Sequence, residues 1–139
     1  MQIISEKQLS SFKKFLELHD SFIIAGHKDP DGDCISSCLG LSYIVENTGK
    51  PYIMLNAGPF KRIEIREYAD FFRNDIPFMT QDERNRCGLI MTDCSEILRL
   101  GEIDGDLKGF DTFIIDHHKT ADSNGENTII DPTSPAASC

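Results

Sequence analysis

The chain alternates between stretches that repeat apolar residues at helical spacing and short runs that are apolar without interruption. Leu9, Phe12 and Leu16 recur at helical spacing, and Ser5 with Gln8 has the spacing of a capping box. They predict an amphipathic helix ending near His19-Asp20. Phe22-Ile23-Ile24-Ala25 then reads as a short buried strand. Residues 34–47 are apolar around most of a helical circumference and stop before Gly49, the pattern of a buried helix with a glycine beyond its end. Residues 51–55 suit a second strand. Between 61 and 86 the charges are mixed, with Ile65, Tyr68, Ala69 and Phe72 at helical spacing until Asp75-Ile76-Pro77. That segment is expected to cover one sheet face. Leu89-Ile90-Met91, Thr112-Phe113-Ile114-Ile115 and Thr128-Ile129-Ile130 are further strand-like runs. Strands alternating with helices predict an α/β fold: a mainly parallel sheet flanked by helices.

The 139 residues contain no repeat, low-complexity tract or linker, which predicts a single domain over 1–139. With 23 acidic against 14 basic side chains the net charge is −9. This excludes an extended nucleic-acid-binding face, and any phosphate ligand must find positive potential locally. The apolar runs are far shorter than the roughly 18 residues that suggest a membrane span, and the N-terminus has no basic region of a signal peptide. A soluble, cytoplasmic protein is expected. The five cysteines form no C-x-x-C pair, so reduced thiols in a reducing compartment fit best. Cys34 and Cys38 look like one face of a buried helix, where cysteine acts as a small hydrophobe.

The chemistry-bearing residues follow three of the strands. Phe22–Ala25 leads into His27-Lys28-Asp29-Pro30-Asp31-Gly32-Asp33, residues 89–91 into Asp93, and residues 112–115 into Asp116-His117-His118. In a parallel sheet such positions meet at one edge, where ligands of open α/β folds bind. Carboxylates gathered there repel one another unless cations neutralise them. Oxygen and imidazole donors without thiolate spacing suit Mn²⁺ or Mg²⁺ first, with Co²⁺ and Zn²⁺ as alternatives. His27, Asp31 and Asp33 can aim at neighbouring ions while Asp93 bridges them, and two such ions support in-line phosphoryl displacement. Asp33 is placed to cap the following helix, whose first turn holds Ser36 and Ser37, so its amides can receive phosphate oxygens. Lys28 and Lys119 add positive charge.

Plainer readings stand beside this one. Residues 29–33 are also a turn composition, Asp93 before Ser95-Glu96 is also a helix cap, and His117 also fits a hydrogen-bonded core position. An EF-hand is excluded, because counting from Asp29 places Cys34 at the sixth position and Gly40 at the twelfth, where glycine and glutamate are required. His19, without acidic company, is expected at the surface.

At the motif His27–Asp33, at Asp93 and at Asp116-His117-His118 the sequence resembles the DHH phosphoesterase superfamily. Asp131-Pro132 with Ser134-Pro135-Ala136-Ala137-Ser138 resembles the start of that family's fourth motif. The chain is most similar to the RecJ-like branch of small oligoribonucleases (nanoRNases) and 3′-phosphoadenosine-5′-phosphate phosphatases. The resemblance implies His27 and Asp31 on one Mn²⁺, Asp33 and His117 on the other, and Asp93 bridging both. It puts His118 against the scissile phosphate, makes Asp116 an orienting group, and makes a bridging hydroxide the nucleophile. The family continues to a further aspartate and a DHH-associated C-terminal domain, so the chain is expected to be truncated within the fourth motif, with that domain absent. The implied function is metal-dependent hydrolysis of short oligonucleotides or nucleotides. A manganese pyrophosphatase and a non-catalytic metal- or nucleotide-binding fragment are the alternatives.

Overall fold

The structure is a computed structural model that describes residues 6–94, 96–116 and 128–130, with Asp116 and 128–130 described through their backbone. Its centre is a five-stranded sheet of β1 (Ser21–Ala25), β2 (Tyr52–Leu55), β3 (Cys87–Thr92), β4 (Asp111–Asp116) and β5 (Thr128–Ile130). The order is β2-β1-β3-β4-β5 and every pairing is parallel. The strands predicted from the sequence are these five, with β1, β3 and β4 longer by one to three residues, β2 shorter by one and β5 unchanged.

Successive strand residues point to opposite faces, and both faces are covered. Phe22, Ile24, Ile90 and Phe113 join Phe12, Phe15 and Leu16 of helix α1 (Glu6–Leu18) and Cys38, Leu41 and Val45 of helix α2 (Gly32–Glu46). On the other side Ile23, Ala25, Leu89 and Met91 pack with Cys94, Leu100, Leu107 and Phe110. Each fully buried large side chain contributes roughly 1.5–3 kcal/mol, so the central strands are the best-anchored part of the chain. Leu9, expected on the packed face of α1, is 46% exposed. No described helix is long and apolar enough to cross a membrane.

Two expectations need correction. Residues Ile63–Phe71 form a 3-10 helix rather than an α-helix, and only Ile65 among them is buried. Its end bonds run three residues back, from Ile65 N to Arg62 O and from Phe72 N to Ala69 O. One buried anchor gives this charged stretch too little apolar face to hold a full α-helix on the sheet. The chain beyond it closes the outer edge of β2, with Arg73 N donating to Met54 O and Asn56 N to Arg73 O. His19 is the second correction: it is buried, 3% exposed. Its Nδ1 donates to Phe15 O at 2.7 Å, its Nε2 meets Asp111 Oδ2 at 3.0 Å, and its ring lies 4.3 Å from that of Phe15. A short helix α3 (Gln81–Asn85), which apolar periodicity does not announce, is closed by a Thr80/Glu83 capping box.

Candidate metal centre at the carboxyl edge of the sheet

Register brings the candidate residues level. Ala25 pairs with Met91, and Thr92 with Ile115, so Ala25, Met91 and Ile114 share one row across β1, β3 and β4. Two residues further on, at the carboxyl edge, come His27, Asp93 and Asp116. Asp93 keeps this alignment beyond the ladder, because its N–H donates to Ile115 O at 3.0 Å. Its backbone turns left-handed there (φ 61°), a conformation that aspartate tolerates better than most residues.

His27 and Asp93 meet directly. Imidazole Nε2 donates to Asp93 Oδ2 at 3.0 Å while Nδ1 donates to Lys28 O at 2.8 Å. The hydrogen bond to the buried carboxylate outweighs desolvation and, helped by the Lys28 carbonyl, pushes the His27 pKa up to about 9. At neutral pH the pair is therefore an imidazolium on a carboxylate that is 2% exposed.

Asp31 and Asp33 lie at the start of α2. Asp31, not Asp33, is the cap: its backbone is extended and its Oδ1 accepts from Cys34 N at 2.9 Å. The helix begins at Gly32, two residues earlier than expected, which moves Asp33 into the first turn, where a negative charge still favours the helix dipole. Of the two serines, Ser36 is exposed, whereas Ser37 is buried with its Oγ closed off from solvent and without a hydrogen-bond partner among the described residues. As the domain stands, the Ser37 hydroxyl is not open to a ligand. Lys28 is exposed beside the loop. His117, His118 and Lys119 lie outside the described residues, and of Asp116 only the backbone, at the end of β4, is described.

Two residues at this edge were given no part in the site by the sequence, Asn56 passing unnoticed and Cys34 being read as a core hydrophobe. Asn56, 4% exposed just past β2, donates from Nδ2 to His27 O at 3.1 Å and accepts from Gly58 N at 2.8 Å, pinning the backbone that carries His27. Its position directly after a strand, on the same edge as the motifs, was the available signal. Cys34 is the other. Its Sγ, a His27 ring nitrogen and an Asp93 carboxylate oxygen all lie within 4.8 Å of one another. Asp31 and Asp33 are not part of that three-donor group.

Fold and edge together define an α/β domain whose polar side chains converge beyond the carboxyl ends of parallel strands. The chain belongs to the DHH family: the family's N-terminal domain matches residues 21–139. Its fold is similar to that in the crystal structure of an exopolyphosphatase-related protein from Bacteroides fragilis, with a TM-score of 0.76 at 19% identity. The similarity covers 99% of this chain but 42% of the other, so this chain spans less than half the length of that protein. No curated protein matches the sequence significantly.

Proposed function

We propose that this domain is the catalytic half of a metal-dependent phosphoesterase that acts on short oligonucleotides or nucleotides such as 3′-phosphoadenosine-5′-phosphate. The observation that carries the reading is the His27–Asp93 pair, built from loops after two adjacent strands of a DHH-family domain. The donor set fits a divalent ion. A buried carboxylate and an imidazole already share one cation, the proton between them, and Asp31 and Asp33 stand at the start of the helix that follows His27.

In this reading His27 and Asp31 hold one Mn²⁺, Asp33 and His117 hold a second, and Asp93 serves both. Mg²⁺ or Co²⁺ are the substitutes. Bound divalent ions supply water activation and charge neutralisation for in-line phosphoryl displacement. His118 faces the reacting phosphate, Asp116 orients the loop, and Ser36 with the first amides of α2 receives phosphate oxygens. With a net charge of −9 the domain favours short substrates over polymers. The four described cysteines are all free thiols, in keeping with a cytoplasmic site of action.

The test is hydrolysis by the purified chain, with and without Mn²⁺, of a dinucleotide, 3′-phosphoadenosine-5′-phosphate, pyrophosphate and polyphosphate. Mn²⁺-stimulated release of nucleotide or phosphate from the first two, lost in Asp93→Asn, is the expected result. Preference for pyrophosphate by orders of magnitude would replace this reading with a pyrophosphatase. Binding of Mn²⁺ without turnover of any substrate would reduce it to a binding module.

A further inference from the structure

The residue that helical spacing made a core hydrophobe sits at the proposed reaction centre. Cys34 is fully buried in the first turn of α2, yet its sulfur, a His27 ring nitrogen and an Asp93 carboxylate oxygen lie within 4.8 Å of one another. Donor atoms bound to one tetrahedral ion at about 2.0–2.3 Å stand roughly 3.3–3.8 Å apart, so the three donors need approach one another by no more than about 1.5 Å to reach a common ion. Among the described residues no other group of three such donors converges.

Three neighbours hold the sulfur in place. The Asp31 carboxylate accepts from Cys34 N and fixes the turn that carries the thiol. On the strand side Gly26 leaves room for it, since a Cβ at that position would collide with Cys34 Sγ and stand 3.3 Å from Cys38 Sγ. Cys38, one helical turn on, is hydrogen-bonded to Cys34.

We propose that His27, Cys34 and Asp93 form a mixed nitrogen, sulfur and oxygen site for a borderline divalent ion, Zn²⁺ or Co²⁺, at one of the two metal positions. The inference rests on the reading of this edge as a metal centre and alters its metal class, because a thiolate ligand favours Zn²⁺ and Co²⁺ over Mn²⁺ and Mg²⁺. On binding, the Cys34 S–H and the His27 Nε2–H each release a proton to solvent, and sulfur and nitrogen donate their lone pairs to the ion. No electron transfer is involved.

The experiment is titration of the metal-free chain with Co²⁺, followed by absorption in the near ultraviolet, where thiolate-to-cobalt charge transfer appears. One intense band saturating at one ion per chain is expected, absent from both Cys34→Ser and Cys34→Ala and retained in Cys38→Ala. Competition calorimetry should show the ratio of Zn²⁺ to Mn²⁺ affinity falling about tenfold or more in Cys34→Ala. Stoichiometric Co²⁺ binding to the wild-type chain without such a band overturns the proposal, and this result needs no variant to fold. A band that persists in Cys34→Ala overturns it equally. The two readings fail separately: Mn²⁺-stimulated hydrolysis without a thiolate band removes only the cysteine ligand, whereas a Cys34-dependent band with no hydrolysis removes only the phosphoesterase.

Discussion

His27 Nε2 and Asp93 Oδ2 lie 3.0 Å apart although 66 positions separate them in the chain. Two parallel strands in fixed register deliver them to the same level, and a left-handed residue at the end of β3 ends the strand there. The pairing makes the metal-free protein sensitive to pH. His27 has a folded-state pKa of about 9 against 6.5 for an ordinary histidine. The sign follows from proton linkage: a group whose folded pKa is raised stabilises fully below its unfolded value, and this contribution disappears as pH climbs through the folded one.

In the metal-free chain, stability should therefore fall between about pH 6.5 and 9, by at most about 3 kcal/mol from this pair. Denaturant unfolding in the presence of a chelator measures it, with His27→Gln as the reference that lacks the titration. Other groups that ionise in this window cancel in the difference between the two curves. Parallel curves for wild type and variant would show that the pair contributes nothing.

Asn56 predicts a different split. Its amide satisfies the His27 carbonyl and accepts from Gly58 N in a buried position, so Asn56→Ala leaves both groups without that partner. A loss of about 1–3 kcal/mol is expected, together with weaker divalent-ion binding because the segment bearing His27 is released. Thermal unfolding and calorimetry check the two arms. Unchanged ion affinity in a folded Asn56→Ala protein would confine the residue to stability alone.

His19 should behave as a structural histidine. It joins the end of α1 to the start of β4 through Phe15 O and Asp111, and it packs against Phe15 and Phe22. His19→Ala removes a buried ring and its hydrogen bonds, for which about 2–4 kcal/mol of destabilisation is expected. Gly88 belongs to the same contact, since an added Cβ would stand 2.6 Å from Phe15 Cε2 and 3.2 Å from His19 Cγ. Gly88→Ala should therefore cost about 1–3 kcal/mol by overpacking. Neither change should alter metal affinity per folded molecule, because both residues lie at the amino end of the sheet, away from His27.

What the sequence made legible follows from how the signals arise. Short apolar runs such as 22–25 and 112–115 are strands because both sheet faces are buried, and position past a strand end was enough to single out His27 and Asp93. Ile63–Phe71 misled because Ile65, Tyr68, Ala69 and Phe72 imitate a helical stripe while only Ile65 is buried. Helix α3 has no apolar stripe, and its signal, Thr80 with Glu83, lies in capping alone. His19 is a polar residue whose burial depends on Asp111, distant in sequence, which no local pattern encodes, and Asn56 offered only its place directly after a strand, its partner being His27 on another loop. Cys34 misled in a subtler way: it is as buried as its helical face predicts, but the surface it faces includes the proposed metal donors.

Asp31 carries two proposed duties that substitution can separate. Its Oδ1 caps α2 by accepting from Cys34 N, and its charge is assigned to a metal ion. Asparagine keeps an oxygen able to cap the helix but removes the charge, whereas alanine removes both. Asp31→Asn should unfold within about 0.5 kcal/mol of the wild type, and Asp31→Ala should lose about 0.5–2 kcal/mol. Divalent-ion affinity, measured by calorimetry, should fall more than about tenfold in both, because the missing charge is common to them. A charge-dependent loss in Asp31→Asn with stability preserved assigns the carboxylate to the metal as well as to the helix. Native affinity in Asp31→Asn would leave the residue as a cap only, and would remove Asp31 from the metal-binding scheme.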